Sequence, residues 1–322
     1  MTQPVKIQIV RLRLGTRASP LAMAQAHETR ARLCRAHGWD ESAVELVPVI
    51  ASGDKVLDRP LADIGGKALW TKELDQWLDD GTIDAAVHSL KDVETIRPPQ
   101  LLIAAVLPRA DKRDRLVLRQ AQDDRSAATL TDLPPGAVIG TSAPRRAAQV
   151  LHLRPDCRVV MFRGNVATRL AKLAAGEVDA TFLAAAGLER LGQDKVGHAL
   201  DPAHWLPAPA QGAIAIECRS DDARVRELLG AIDHAPSRAE VMAERALLAA
   251  LGGGCHSAIG VLCDNDGDAL AMRAALFSPD GSERVEGTAR FAVGDADGPA
   301  LLGQDLLARS SAAIRTLFGA GK

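Results

Sequence analysis

Three groups of residues could do chemistry. The first is the run Gly252-Gly253-Gly254-Cys255-His256, a single thiol after three residues without side chains. One glycine past a helix is ordinary capping; three let bulky matter approach the backbone at Cys255. Either the thiol packs as a small hydrophobe, or it is a functional nucleophile. Neighbours on an extended chain point to opposite sides, which argues against a Cys255–His256 catalytic pair. The second group is arginine: Arg17, Arg145, Arg146, Arg163 and Arg169 fall at strand ends or in first helical turns, where backbone N–H groups favour anions. One such arginine is commonly just solvated, but gathered guanidinium groups repel one another unless an anion joins them. The set therefore points to a ligand with several carboxylates or phosphates. The third is Asp92, with Lys91 beside it, after a short apolar strand. A carboxylate there can stabilise developing positive charge or move protons, or can be a loop ion pair. His88 reads as a core histidine, and Lys67 and Lys72 as loop lysines within reach of an anion.

The elements that must hold these groups alternate. A strand over Lys6–Leu14 leads through Gly15-Thr16-Arg17-Ala18 to a helix capped by Ser19 with Pro20 at its first position. Strand 44–50, a polar loop over 51–66 that could act as a lid, helix 68–80 and strand 83–87 follow, the last delivering His88 to Asp92. After strand 101–107, the charged run Arg109–Arg115 crosses to a second series. This has strands near 137–140, 158–162 and 178–183, helices after each, and Thr141-Ser142 as a helix cap. Residues 207–217 return to the first series, and helix 222–229 follows. A third unit holds a helix with a Ser237–Glu240 capping box, the glycine–cysteine turn, strands 270–277 and 284–292, and a last helix from about Pro299 to Phe318. The expected fold is α/β, with doubly wound sheets that bind ligands beyond the C-terminal strand ends. Domain 1 is expected over 1–107 and 212–230, domain 2 over 112–205, and domain 3, α+β, over 235–322.

Composition narrows the function. The chain has 322 residues, 25% charged, with a net charge of −2, so no global basic field attracts nucleic acid. Aromatics are 3% and tyrosine is absent, which leaves no base-stacking platform. Charged residues break every apolar run, arguing against a signal peptide or membrane span. Five scattered cysteines without Cys-x-x-Cys suggest a reduced, cytoplasmic protein with no metal framework. No Walker loop or Gly-x-Gly-x-x-Gly turn marks a nucleotide site.

Ordered blocks run almost end to end: Thr16-Arg17-Ala18-Ser19-Pro20-Leu21-Ala22, Gly65-Gly66-Lys67-Ala68-Leu69-Trp70-Thr71-Lys72-Glu73-Leu74 and Val87-His88-Ser89-Leu90-Lys91-Asp92-Val93. Gly140-Thr141-Ser142, Arg145-Arg146, Arg163-Gly164-Asn165-Val166-Ala167-Thr168-Arg169-Leu170, Gln211-Gly212-Ala213 and Gly253-Gly254-Cys255 continue them. In these the chain resembles the porphobilinogen deaminase (hydroxymethylbilane synthase) family. The resemblance implies two periplasmic-binding-protein-like domains plus a small third one. It implies a cytoplasmic, monomeric transferase that joins four porphobilinogen molecules head to tail, releasing ammonia. The linear hydroxymethylbilane grows on a dipyrromethane cofactor held by a thioether, here on Cys255. The resemblance casts Asp92 as the catalytic residue, stabilising the cationic azafulvene left by ammonia. It casts Lys91, Thr141, Ser142, Arg145, Arg146, Arg163 and Gly164 as cofactor contacts. Arg17, Ser19, Lys67, Trp70, Arg169, Arg190 and Gln211 become substrate contacts, with no metal, nucleic-acid or membrane partner. The chain departs from the family pattern at Ala143-Pro144, Asp63, Trp70, Glu94, Ala210, Gly252 and His256. A binding protein without catalysis would share the cleft but has no use for Cys255 and a third domain.

Overall fold

Strand β1 (Leu12–Arg17) holds the start of the first block, Thr16-Arg17, so residues read as a turn belong to it. Gly15 and Thr16 are paired in register with Val47 and Pro48. Glycine is required at 15 by packing: a Cβ there would lie 2.3 Å from Ile83 Cδ1. The computed structural model describes residues 10–49, 71–119, 129–254 and 257–318. The expected start of the strand at Lys6 and the loop over 51–66 expected to act as a lid lie outside them.

Helix α1 (Pro20–His37) starts as expected, Ser19 Oγ accepting from Ala22 N–H, and ends at Gly38 with φ 64°. Strand β2 (Val44–Val49), helix α2 (Lys72–Asp79), strand β3 (Ala85–Ser89) and strand β4 (Leu101–Val106) follow. The chain then crosses to β5 (Asp114–Leu118), β6 (Val138–Gly140), α3 (Pro144–Leu153), β7 (Arg158–Val160), α4 (Val166–Ala174), β8 (Ala180–Ala184), α5 (Ala185–Arg190) and β9 (His198–Ala199). It returns through β10 (Ile214–Arg219) and α6 (Ala223–Gly230).

The α/β fold is as expected, and both sheets are mixed. The first has the order β2-β1-β3-β10-β4 and the second β7-β6-β8-β5-β9. In each, one strand runs antiparallel to both neighbours: β10 against β3 and β4, and β5 against β8 and β9. These are the first strands after the two crossings, so each crossing enters its sheet from the opposite end. The three parallel strands beside them keep the helix-crossover geometry that points their C-terminal ends at a common cleft.

The third unit holds α7 (Ala235–Ala250), β11 (Ile259–Asn265), β12 (Ala269–Phe277), β13 (Arg284–Ala292), α8 (Asp297–Arg309) and α9 (Ala312–Arg315). Strand β11 was not expected, yet it pairs with β12 along its whole length. The last helix is broken at Ser310, and Ser311 caps a new turn by accepting from Ile314 N–H. Leu247, Leu248, Val261, Met272, Leu302 and Leu306 pack this unit's core. Ser237 does not cap α7: His234 does, through Nδ1 and Ser237 N–H. Ser237 Oγ instead accepts from Arg109 N–H, and Glu240 binds Arg109 and Lys112.

That substitution of roles exposes the joint of the molecule. Arg109 lies in the outgoing crossing and makes two short hydrogen bonds to Glu244 of α7, at 2.9 and 2.8 Å. Its Nε donates to Gln211 O in the return crossing. Glu244 also accepts from Ala210 N–H and, on β11, Cys263 N–H. One ion pair thus ties both crossings to the third unit, with the two side chains 2% and 0% exposed. Removing one partner of such a pair strands a buried charge, which costs several kcal/mol. Arg109→Leu should lower unfolding free energy in urea by about 3–5 kcal/mol; a loss under about 1 kcal/mol, the range of surface pairs, would show that the joint lies elsewhere.

Candidate functional site

The ends of the parallel strands converge on a cavity of about 800 Å³. Arg17 and Ser19 reach it from the junction of β1 and α1. Lys91 and Asp92 come from a 3₁₀ turn (Leu90–Asp92) directly after β3. That turn is pinned by Leu90 N–H donating to Ala213 O and Val93 N–H to Leu90 O. From the second sheet come Ser142, Arg145, Arg146, Arg163, Gly164 and Arg169, and Gln211 from the return crossing. Helix α3 starts at Pro144 with Ala143 as its unassisted cap; Thr141 Oγ1 accepts from Ala143 N–H instead of capping the helix. Asn165 caps α4 through Thr168 N–H, and Gly164 holds φ 126° where a Cβ would meet Thr168 at 2.7 Å. A glycine is needed there to turn Arg163 and α4 toward the cavity.

Arg145 and Arg146 are organised by an acid that sequence reading missed. Asp114, at the head of β5 and 0% exposed, accepts from Arg145 at 2.8 Å, Arg146 at 2.7 Å, Trp205 Nε1 at 2.8 Å and Gln211 Nε2 at 3.0 Å. Burial alone would raise its pKa, but the two guanidinium groups hold it far below the usual carboxylate range. The arginines' remaining contacts are to main chain: Arg145 to Leu206 O and Arg146 to Phe182 O. Arg146 Nε is buried with no hydrogen-bond partner among the described residues. The signal was present in Arg113-Asp114-Arg115, a charged run in which one acid opens an apolar strand.

Cations outnumber acids in the cavity's described lining. Among its described lining residues are six arginines (Arg17, Arg145, Arg146, Arg163, Arg169 and Arg245) and Lys91, against the single acid Asp92. The bases respond first to burial and then to their charged neighbours. Lys91 is half-buried as a residue, and desolvation pushes its pKa down to about 8; Asp92 opposes the shift and Arg146 adds to it. Burial, then Arg146 and Arg163, lower Arg169 to about 10 against the pull of Asp92. Arg169 Nε donates to Gly164 O.

Two further groups brace Asp92. Arg97 binds Asp75, Glu94 and Glu217 at 2.6, 2.6 and 2.9 Å beneath β3. Glu217 is fully buried; burial would raise its pKa, but His88 and Arg97 hold it down at about 2. Arg245 of α7 donates to the carbonyls of Val93, Glu94 and Thr95, just past Asp92. Thr95 Oγ1 in turn donates to Gly253 O at 3.0 Å. The glycine turn is thereby fastened to the loop carrying the acid.

Cys255, Lys67 and Trp70 lie outside the described residues. Gly254 and Ser257, which flank 255–256, both line the cavity, and Gly254 N–H donates to Ser257 Oγ at 3.0 Å. A Cβ on Gly254 would meet nothing within 4 Å. Two expected site residues stand apart from the lining. Thr141 is buried behind it. Arg190 is held by Gly212 O at 2.9 Å and Glu28 at 3.7 Å, joining α5 to the return crossing and α1. An open glycine turn, a donor-rich wall and a partnerless buried Arg146 Nε suit an elongated ligand bearing several carboxylates. The arrangement fits a dipyrromethane with acetate and propionate arms.

Comparison with known proteins gives the same answer. Residues 12–227 match the family model described as porphobilinogen deaminase, dipyromethane cofactor binding domain, and residues 238–310 match porphobilinogen deaminase, C-terminal domain. A porphobilinogen deaminase of Sphingopyxis alaskensis is 57% identical over 95% of this chain and 96% of its own. That of Paracoccus denitrificans is 49% identical over 92% of each. Among solved structures, the VFT2 domain of Bordetella pertussis BvgS superposes with a TM-score of 0.40 at 18% identity, covering 70% of this chain and 87% of that one. Matched by both family models and by relatives at about half identity or more over nearly its whole length, this protein belongs to the porphobilinogen deaminase family.

Proposed function

We propose that this chain joins porphobilinogen units head to tail into hydroxymethylbilane, with Cys255 as the attachment point of a dipyrromethane primer and Asp92 as the catalytic acid–base group. The observation that carries the reading is Asp92, the sole acid in the described lining of a cavity lined by six arginines, in the same cavity as Gly254 of the glycine turn. When bound, the dipyrromethane supplies a free pyrrole α-carbon from which a chain can be extended.

The protein's own groups do the rest. Arg145 and Arg146, fixed by Asp114, hold acid arms of the chain, with Arg163 and Arg169 beside them and Arg17 across the cleft. Bidentate guanidinium–carboxylate pairing orients each ring as well as binding it. Substrate enters with its aminomethyl group near Asp92, whose carboxylate accepts hydrogen bonds from pyrrole N–H. Loss of ammonia leaves a positive charge delocalised over the ring, which the fixed carboxylate stabilises in a water-poor cleft. Asp92 then takes the proton released when the attacked ring regains aromaticity. Lys91, half deprotonated near pH 8 before acid arms arrive, regains its charge as they bind. Cys34, Cys157, Cys218 and Cys263 are free thiols, in keeping with a reducing compartment; we place the working enzyme there, in the cytoplasm, as a monomer.

The intact mass of the purified protein should exceed the sequence mass by one dipyrromethane, and Cys255→Ser should remove the addition; an unmodified wild-type mass contradicts the attachment. Asp92→Ala should lower turnover by about 10²–10⁴-fold, the usual contribution of a placed acid–base group, with the primer still attached, and near-normal ammonia release would reassign the acid. Because a lowered pKa leaves more neutral amine at pH 8, Lys91 should be among the first lysines acylated in cofactor-free protein and protected in holoenzyme. Peptide mapping that finds Lys91 equally reactive in both forms contradicts its place beside the acid arms.

A further inference from the structure

Among the described residues, a single non-glycine holds a left-handed backbone: Ala210, at φ 59°. That conformation is disfavoured roughly tenfold for an L-residue, whereas glycine enters it freely. Ala210 is not in an exposed turn. It is 2% exposed and lies in the return crossing, directly before Gln211 and Gly212. Its N–H donates to Glu244 at 2.6 Å, the buried carboxylate that also holds Arg109. Its carbonyl accepts from Ala213 N–H at 3.2 Å. Its methyl belongs to a buried apolar cluster with Leu90, Val93, Val106 and Val241. Interior strain of this kind persists only where the surroundings impose it, and such positions gather at functional sites.

What the strained residue holds is the next side chain. Gln211 stands between two left-handed residues, Ala210 and Gly212, the latter at φ 88°. Gly212 is pressed on the outgoing crossing, where a Cβ would lie 2.6 Å from Ala110 O. Gln211 is 0% exposed, and its Nε2 donates to Lys112 O at 2.8 Å and to Asp114 at 3.0 Å. Both partners are acceptors, so the amide has one possible orientation. Asp114 in turn holds Arg145 and Arg146. Glu244, Ala210, Gln211 and Asp114 thus form one line of contacts from α7 to the arginine pair.

We infer that Ala210 is a positioning residue, whose left-handed turn fixes Gln211 against Asp114 and so keeps Arg145 and Arg146 aimed at the acid arms. This role rests on the function proposed above. The β-carbon is what makes the setting discrete. With it the left-handed well is narrow, and a residue that leaves the well falls to negative φ. Glu244 selects the setting by accepting the N–H. A glycine would range over a broad span of φ, and Gln211 would share that freedom. The stiff turn acts on capture of the substrate more than on the chemical step, because Asp92 stands on another turn, held by Arg245 through the carbonyls that follow it.

Holoenzyme carrying Ala210→Gly tests this, with Ala210→Ser as the control that keeps the β-carbon. Ala210→Gly should retain its primer and a thermal midpoint close to that of wild type. Its KM for porphobilinogen should rise about tenfold, a modest part of what misplaced binding groups can cost, with kcat within about twofold. Ala210→Ser should keep both constants within about twofold of wild type. A glycine variant with the wild-type KM, or a serine variant shifted as far as the glycine one, overturns the inference. Amide hydrogen exchange needs no variant: the Ala210 amide of wild-type holoenzyme should exchange as slowly as the amides of β10. Exchange as fast as in an exposed turn would show that Glu244 does not hold the residue, and overturns the inference as well. A wild type without primer or product refutes the proposed function itself; with both present, a failed Ala210 test leaves that function standing.

Discussion

A buried carboxylate holding two guanidinium groups in place is the interaction on which the site depends. Without Asp114, Arg145 and Arg146 would carry like charges into a space with little water, at a desolvation cost no neighbouring dipole could offset. With it, the pair is fixed against main-chain carbonyls and still leaves a net positive charge facing the cavity. Burial, with Arg146 adding to it, depresses the pKa values of Lys91 and Arg169 beside that pair. The cavity is therefore an electrostatic mould for a polyacid. Asp92 is the one acid in its described lining, so that under the proposed mechanism binding and stabilisation of the reacting ring use opposite signs in one cleft.

A second constraint is mechanical. Three units must keep the glycine turn, the Asp92 loop and the arginine wall within reach of one another while a chain lengthens between them. Two devices do this. Arg109 and Glu244 pin both crossings to the third unit, and Arg245 with Thr95 fastens the Asp92 loop to Gly253. Both rely on buried arginines from or near α7, so that helix is the reference frame for the acid and the turn alike. The crossings themselves enter their sheets antiparallel, which leaves the parallel strand ends free to face the cleft.

Much of this was legible in the chain. Ser19-Pro20 announces its helix start because a cap is set by local hydrogen bonding. Arg17, Lys91, Asp92, Arg146, Arg163 and Arg169 could be placed in one pocket because strand ends in alternating folds converge. What stayed hidden depends on partners remote in sequence. Asp114 looks like one charge in a charged run until Trp205 and Gln211 fold onto it. Ser237 and Glu240 have the spacing of a capping box, yet Arg109 claims both. Gly15 reads as a turn and is instead a strand residue pressed on Ile83. Arg190 carries a guanidinium like the others, but Gly212 O and Glu28 draw it away from the cavity wall.

The most direct test of the central claim is a crystal structure of the protein with its dipyrromethane attached. The account expects ligand carboxylates within hydrogen-bonding distance, about 2.7–3.2 Å, of Arg146 and of Arg163 or Arg169, with Asp92 facing the pyrrole nitrogens. Acid arms turned to solvent, with the arginines bound to Asp114 and main chain alone, would contradict it.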